Sequence, residues 1–147
     1  MTLRATSFRR AGLTGGTSCD SVVLDAQGRH IRRRLIRLQD GAEVLVDFEK
    51  PAELEHGDCL VLEDGRLVRI TAAEESLMEV RARNAAHLLR LAWHIGNRHL
   101  EAQIEEARIL VRRDKVIARM LEHQGASVRD VTELFEPEHG AYHGHDH

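Results

Sequence analysis

The hydrophobic period of this 147-residue sequence changes near Ala72, and that change does most to limit its fold. Before it, short runs rich in Val, Leu and Ile alternate with turns. After it, apolar residues recur at helical spacing between further short runs. In the first half a strand and a Gly-rich loop at the N-terminus precede runs over 21–24, 34–38, 43–48, 59–63 and 66–70. Gln27-Gly28, Asp40-Gly41 and Asp64-Gly65 punctuate them. Asx-Gly between apolar runs marks a hairpin, because both residues tolerate positive φ. Turns spaced by roughly ten residues predict a small antiparallel β barrel or sandwich.

The second half predicts a strand over 77–83, then a helix capped by Asn84 and carrying Ala85, Leu88, Leu89, Ala92 and Ile95 on one face. Gly96 and Asn97 suit its left-handed C-terminal cap. Strands over 99–104 and 108–112 follow. Asp114 caps a second helix through Val116, Ile117, Met120 and Leu121, stopped by Gln124-Gly125, and a strand over 128–135 ends before Pro137. The order β-α-β-β-α-β is that of ferredoxin-like folds. The expected fold class is therefore α+β: a β-rich, partner-docking domain over 1–72, a ferredoxin-like domain over 73–137, and a flexible His-rich tail over 138–147.

Charge and composition exclude several functions. Twenty-one Lys and Arg against 24 Asp and Glu leave a net charge of −3. The halves before and after Ala72 carry zero and −3. A nucleic-acid-binding domain usually has a basic excess, and the aromatics are too few and too scattered for a base-stacking platform. The arginines at 29, 32, 33, 34 and 37 read as a solvated strand face. The longest uncharged stretch, Ala11 to Cys19, is about half the roughly 18 residues that a membrane span requires. Two cysteines forty residues apart form no CxxC pair, which fits a reducing, cytoplasmic setting. The expectation is no nucleic-acid partner and no membrane.

Histidine is the anomaly: ten are present, four of them in the last nine residues. Neutral imidazole is a borderline ligand for nickel, zinc and copper. In an extended chain alternate residues point the same way, so His143, His145 and His147 can project together. A purification tag is usually an unbroken run, whereas Gly144 and Asp146 interrupt this one. Ordering a tail costs roughly 1–2 kcal/mol per residue, so a useful site needs an anchor on the folded body. His99, after the helix-ending Gly96-Asn97-Arg98, is that candidate. His87 and His94 read as solvent-facing, satisfied or helix-terminal residues, and His123 as helix-terminal. One fixed ligand per chain and no H-E-x-x-H argue against a hydrolytic metal site. The reading is a non-enzymatic metal carrier.

The run His94-Ile95-Gly96-Asn97-Arg98-His99, followed by Gln103, resembles the GNRH motif of the urease accessory nickel-binding proteins, the UreE family. Phe135-Glu136-Pro137-Glu138-His139-Gly140-Ala141-Tyr142 and the His-rich run beyond it are similar to that family's terminus. The resemblance covers essentially the whole chain. It implies a homodimer in which His99 binds Ni2+ at the interface, with His143, His145 and His147 adding ligands (Zn2+ or Cu2+ could bind in vitro). It also implies delivery of nickel to apo-urease together with an accessory GTPase. Where some members carry further histidines before the second helix, this chain has Arg112-Arg113-Asp114-Lys115, and cations repel a metal ion.

Overall fold

Both Asp-Gly turns of the first half close antiparallel hairpins. The computed structural model describes residues 2–13 and 20–138, and the chain divides into two compact units, Met1–Ala73 and Glu74–His147. The first contains strands Leu3–Arg9 (β1) and Asp20–Leu24 (β2), one helical turn Ala26–Arg29 (α1), and strands His30–Arg37 (β3), Glu43–Glu53 (β4), Cys59–Leu62 (β5) and Leu67–Ala72 (β6). β3 pairs with β4 and β5 with β6 around Asp40-Gly41 and Asp64-Gly65. Gly41 and Gly65 stand at φ +91° and +90°, where a Cβ would cost roughly 1–2 kcal/mol. The preceding aspartates tighten each turn, accepting from Ala42 N at 2.8 Å and Arg66 N at 3.0 Å.

The sheet is not the antiparallel one expected. Its order is β2-β6-β5-β1-β4-β3, with β1 parallel to β4 and β2 parallel to β6. Hairpin signals report only on neighbouring strands, whereas both parallel pairs join segments far apart in sequence and leave no local mark. Gln27-Gly28 is no hairpin turn either. It lies in α1, capped by Asp25, whose Oδ1 accepts from Gly28 N at 2.6 Å. Ala5, Val44, Val46, Leu60, Val68 and Ile70 are completely buried and form the centre of this unit's core. Arg32, Arg33, Arg34 and Arg37 are exposed as a solvated row. Arg29 departs from that row: it is buried and donates to the carbonyls of Leu24 and Leu54.

The second unit contains Glu74–Arg81 (β7), Ala85–Asn97 (α2), Gln103–Ile104 (β8), Ile109–Arg112 (β9), Lys115–His123 (α3) and Ser127–Leu134 (β10). Every pairing in the sheet β10-β7-β9-β8 is antiparallel, the arrangement that the β-α-β-β-α-β order predicts. Asn84 and Asp114 cap their helices as expected, accepting from His87 N and from Val116 and Ile117 N. Such caps contribute about 1 kcal/mol each. Met78, Val80, Ile109 and Val111 meet Leu91, Ile95, Ile117 and Leu121 of the helices in one core.

On the strands, Glu79 is a carboxylate only 4% exposed. It accepts from Arg81, Arg108 and Arg129, and Arg108 also donates to Glu105 and to Glu133. The Arg81 hydrogen bond holds the Glu79 carboxyl below its ordinary range against the desolvation that opposes it, and Arg108 does the same chiefly for Glu133. Among the described residues no helix is long and apolar enough to cross a membrane.

Candidate metal centre

α2 inwardly buries His87, Leu91 and Ile95. Of the predicted face, Ile95 is buried and Leu88 and Ala92 pack against the core, whereas Ala85 and Leu89 (73% exposed) face outward, as does Trp93 (64%). With Arg90, His94 and Asn97 among its few polar residues, the helix is apolar nearly all round, a pattern that belongs to helices covered on more than one side. Ala85, Leu89, Trp93 and Gly96 share the outward stripe, since residues three and four apart in a helix align. The stripe runs to the C-terminal turn, three residues from His99.

That turn places the left-handed residue elsewhere than predicted. Neither Gly96 nor Asn97 adopts positive φ; His99 does, at +59°, alone among the described non-glycine residues. Arg98 is the C-cap, His99 N donates to Gly96 O at 2.9 Å and Leu100 N to Ile95 O at 3.4 Å. These two bonds define a Schellman motif with histidine in the position usually given to glycine. α3 ends in the same motif: Gly125 at φ +88° donates to Glu122 O and Ala126 N to Leu121 O. His99 is exposed and lies at the negative end of the α2 dipole, which favours a cation. The segment after it is not the strand predicted over 99–104, since only Gln103 and Ile104 join β9.

His143, His145 and His147 lie outside the described residues, which end at Glu138. Glu138 forms an isolated antiparallel bridge with Ala102, donating to its carbonyl at 2.7 Å. From His99 to Ala102 the chain spans at most about 11 Å, and an antiparallel pair adds about 5 Å. Five residues beyond Glu138 span about 17 Å when extended. By chain length alone, His143 and both later histidines can therefore reach the His99 of their own chain.

The remaining histidines mostly serve the fold. His87 is buried rather than solvent-facing: its Nδ1 accepts from Arg83 N at 3.0 Å and its Nε2 donates to Gln124 O at 2.7 Å, tying α2 to the end of α3. His56 accepts from Ala72 N, and His30 pairs with Glu53. His94 packs edge-on against Trp93, ring centroids 5.1 Å apart. Arg112 and Arg113 are structural cations. The first pairs with Glu101 and Glu75, the second donates to the carbonyls of Leu77 and Val131. Among the described residues no three His, Cys, Asp or Glu side chains gather as a group that could hold a metal ion.

Comparison with known proteins covers both units. Residues 14–73 match the family model described as the N-terminal domain of the UreE urease accessory protein, and residues 75–147 match the model of its C-terminal domain. The urease accessory protein UreE of Agrobacterium fabrum is 50% identical over 143 residues, covering 97% of this chain and 89% of its own length. That of Rhizobium rhizogenes is 51% identical over 142 residues, with 97% and 85% covered. That of Brucella anthropi is 52% identical over 146 residues, with 98% and 86% covered.

Proposed function

The chain belongs to the UreE family of urease accessory proteins across both of its units, and from that membership we propose that it is a homodimeric nickel metallochaperone for apo-urease. The observation that carries the reading is His99: an exposed imidazole held on a strained helix end, within reach of a His-rich tail. A soluble surface helix has little other reason to present Leu89 and Trp93 outward, and a twofold axis lets one such stripe cover its own copy. Because the stripe ends beside the His99 turn, the same axis pairs two His99 side chains over one ion. Tail histidines complete the shell.

This division of ligands suits carriage. Two imidazoles on rigid turns fix where the ion sits, while tail donors detach one at a time and open positions for an acceptor. Nickel is the cargo, so tight capture must coexist with release to the accessory GTPase and apo-urease that the family membership implies as partners. In this reading His99 is the persistent donor, and the tail is the part that a partner displaces.

Calorimetric titration of the full chain tests the proposal. One tight nickel ion per two chains is expected, with weaker ions on the tails. The tight event should disappear in His99→Ala. Affinity should fall as the pH is lowered through roughly 7 to 6, because protonated imidazole cannot ligate. Imidazole donors by themselves do not favour nickel over copper, so zinc and copper are titrated alongside. One tight ion per chain, undiminished by His99→Ala, would overturn the shared site.

A further inference from the structure

No acidic residue occurs between Asp25 and Asp40, whereas five arginines do. Arg29 is buried and donates to backbone carbonyls; the other four lie on β3, the terminal strand of its sheet. The register sorts them by face, since directly opposed residues of an antiparallel pair share one. Arg34 and Ile36 stand opposite the core residues Val46 and Val44. Arg33, Leu35 and Arg37 stand opposite Asp47, Leu45 and Glu43 and form a row on the face away from the core. Arg34 is exposed despite its inward face, on the rim of an opening of about 420 Å³ that Val23, Asp25 and Gln27 also line. Carboxylates do not neutralise the strand. Among the described residues Arg32, Arg34 and Arg37 make no ion pair. Arg33 lies 3.9 Å from Asp47, whose nearer partner is Arg4 at 2.8 Å. In the middle of this charge Leu35 is 50% exposed.

We propose that the outer face of β3 is a docking surface for an acidic segment of a partner protein, which sets an apolar side chain on Leu35 between carboxylates paired with Arg33 and Arg37. This gives the docking role expected of the first unit a place and a chemistry, and it does not depend on the metal reading. Side chains on one face of a strand repeat at roughly 7 Å, so an extended segment with acidic, apolar and acidic residues at alternate positions matches the row. Unpaired cations side by side repel one another in the free protein, and partner carboxylates remove that repulsion. RNA would use the arginines but has no counterpart for Leu35, and β3 carries no aromatic ring on which a base could stack. Charges on a terminal strand also guard it against edge-to-edge pairing. An exposed leucine at the centre of the row works against such a guard and suits a docking surface.

The test titrates the full chain into two labelled synthetic peptides, read by fluorescence anisotropy. One alternates glutamates around a central leucine, and the other carries lysines in place of the glutamates. The acidic peptide should bind and the lysine peptide should not, and affinity should fall as salt rises, because the contacts lie at the surface. Arg33→Glu with Arg37→Glu should weaken the acidic peptide about tenfold or more, since two exposed ion pairs are lost and two repulsions gained. Leu35→Ser should weaken it severalfold, and Arg119→Glu, at an exposed position of α3, should leave it unchanged. Should the double reversal fail to fold, Arg33→Gln with Arg37→Gln carries the same test with a smaller loss. No binding of the acidic peptide, or an equal loss from Arg119→Glu, would overturn the proposal. Tighter binding of a single-stranded RNA oligomer or of phosphatidylserine vesicles than of the peptide would do the same. Self-association of the glutamine variant with unchanged peptide affinity would leave the arginines as guards of a strand edge and overturn it too.

Discussion

Replacing His99 with glycine is expected to raise the melting temperature of the second unit while removing the tight metal site proposed there. The two helices supply the internal comparison: each ends in the same pair of backbone bonds, with glycine at the left-handed position of α3 and histidine at that of α2. A residue with a Cβ in that conformation carries strain of about 1–2 kcal/mol. Glycine relieves it and returns part of the gain as extra freedom in the unfolded chain. A net gain of about 1 kcal/mol corresponds to roughly 3 °C for a chain of this size. His99→Ala keeps the strain and loses the ligand, so it should lose the metal site without gaining stability. Calorimetry in metal-free buffer checks the first effect and nickel titration the second. A glycine variant that melts at or below the wild type would show that the turn is not strained.

The second large effect concerns the outward stripe of α2. If the proposed dimer forms through this stripe, Leu89→Glu with Trp93→Glu should convert it to a monomer, as read by sedimentation, and abolish tight nickel binding without unfolding the chain. Both side chains face solvent within the single chain, so the core does not feel the change. Burying a large apolar side chain contributes about 1.5–3 kcal/mol, and a twofold interface counts each one twice. The loss should then reach about 6 kcal/mol or more, roughly four orders of magnitude in the dimer dissociation constant. Facing carboxylates would add repulsion. A variant that stays dimeric would place the interface elsewhere and separate His99 from it.

What the sequence made legible follows from how local each signal is. Asn84 and Asp114 announced their helices because a cap is decided within three residues, and the two Asp-Gly turns announced their hairpins for the same reason. The parallel pairings of β1 with β4 and of β2 with β6 have no such signature. On α2, apolar residues occur on nearly every side, so periodicity alone could not tell Leu91, in the core, from Leu89, in solvent. Glycine and asparagine tolerate the left-handed conformation best, which points to Gly96 and Asn97; the turn instead imposes it on His99. A histidine at the third position after Gly96, where α3 has a glycine, was the available clue. In the sequence Gln103 stands out only as part of a motif. Its hold on Glu136 is a contact across 33 residues, which no spacing rule reaches.

The buried Glu79 cluster has a consequence for how the proposed carrier would give up metal in acid. Glu79 and Glu133 titrate below the ordinary carboxylate range. Their contribution to stability is therefore complete above about pH 4.5 and is lost only as the pH falls through those lowered values. Protonated imidazole cannot ligate, so acid removes a histidine-held ion by charging its ligands. Loss of metal on mild acidification therefore does not wait for protonation of the Glu79 cluster. Dialysis at pH 5 should yield an emptied protein whose circular dichroism is unchanged and which reloads fully at pH 7.5. Coincident loss of metal and ellipticity would mean that the ion, rather than the arginine-ringed carboxylate, holds the second unit together.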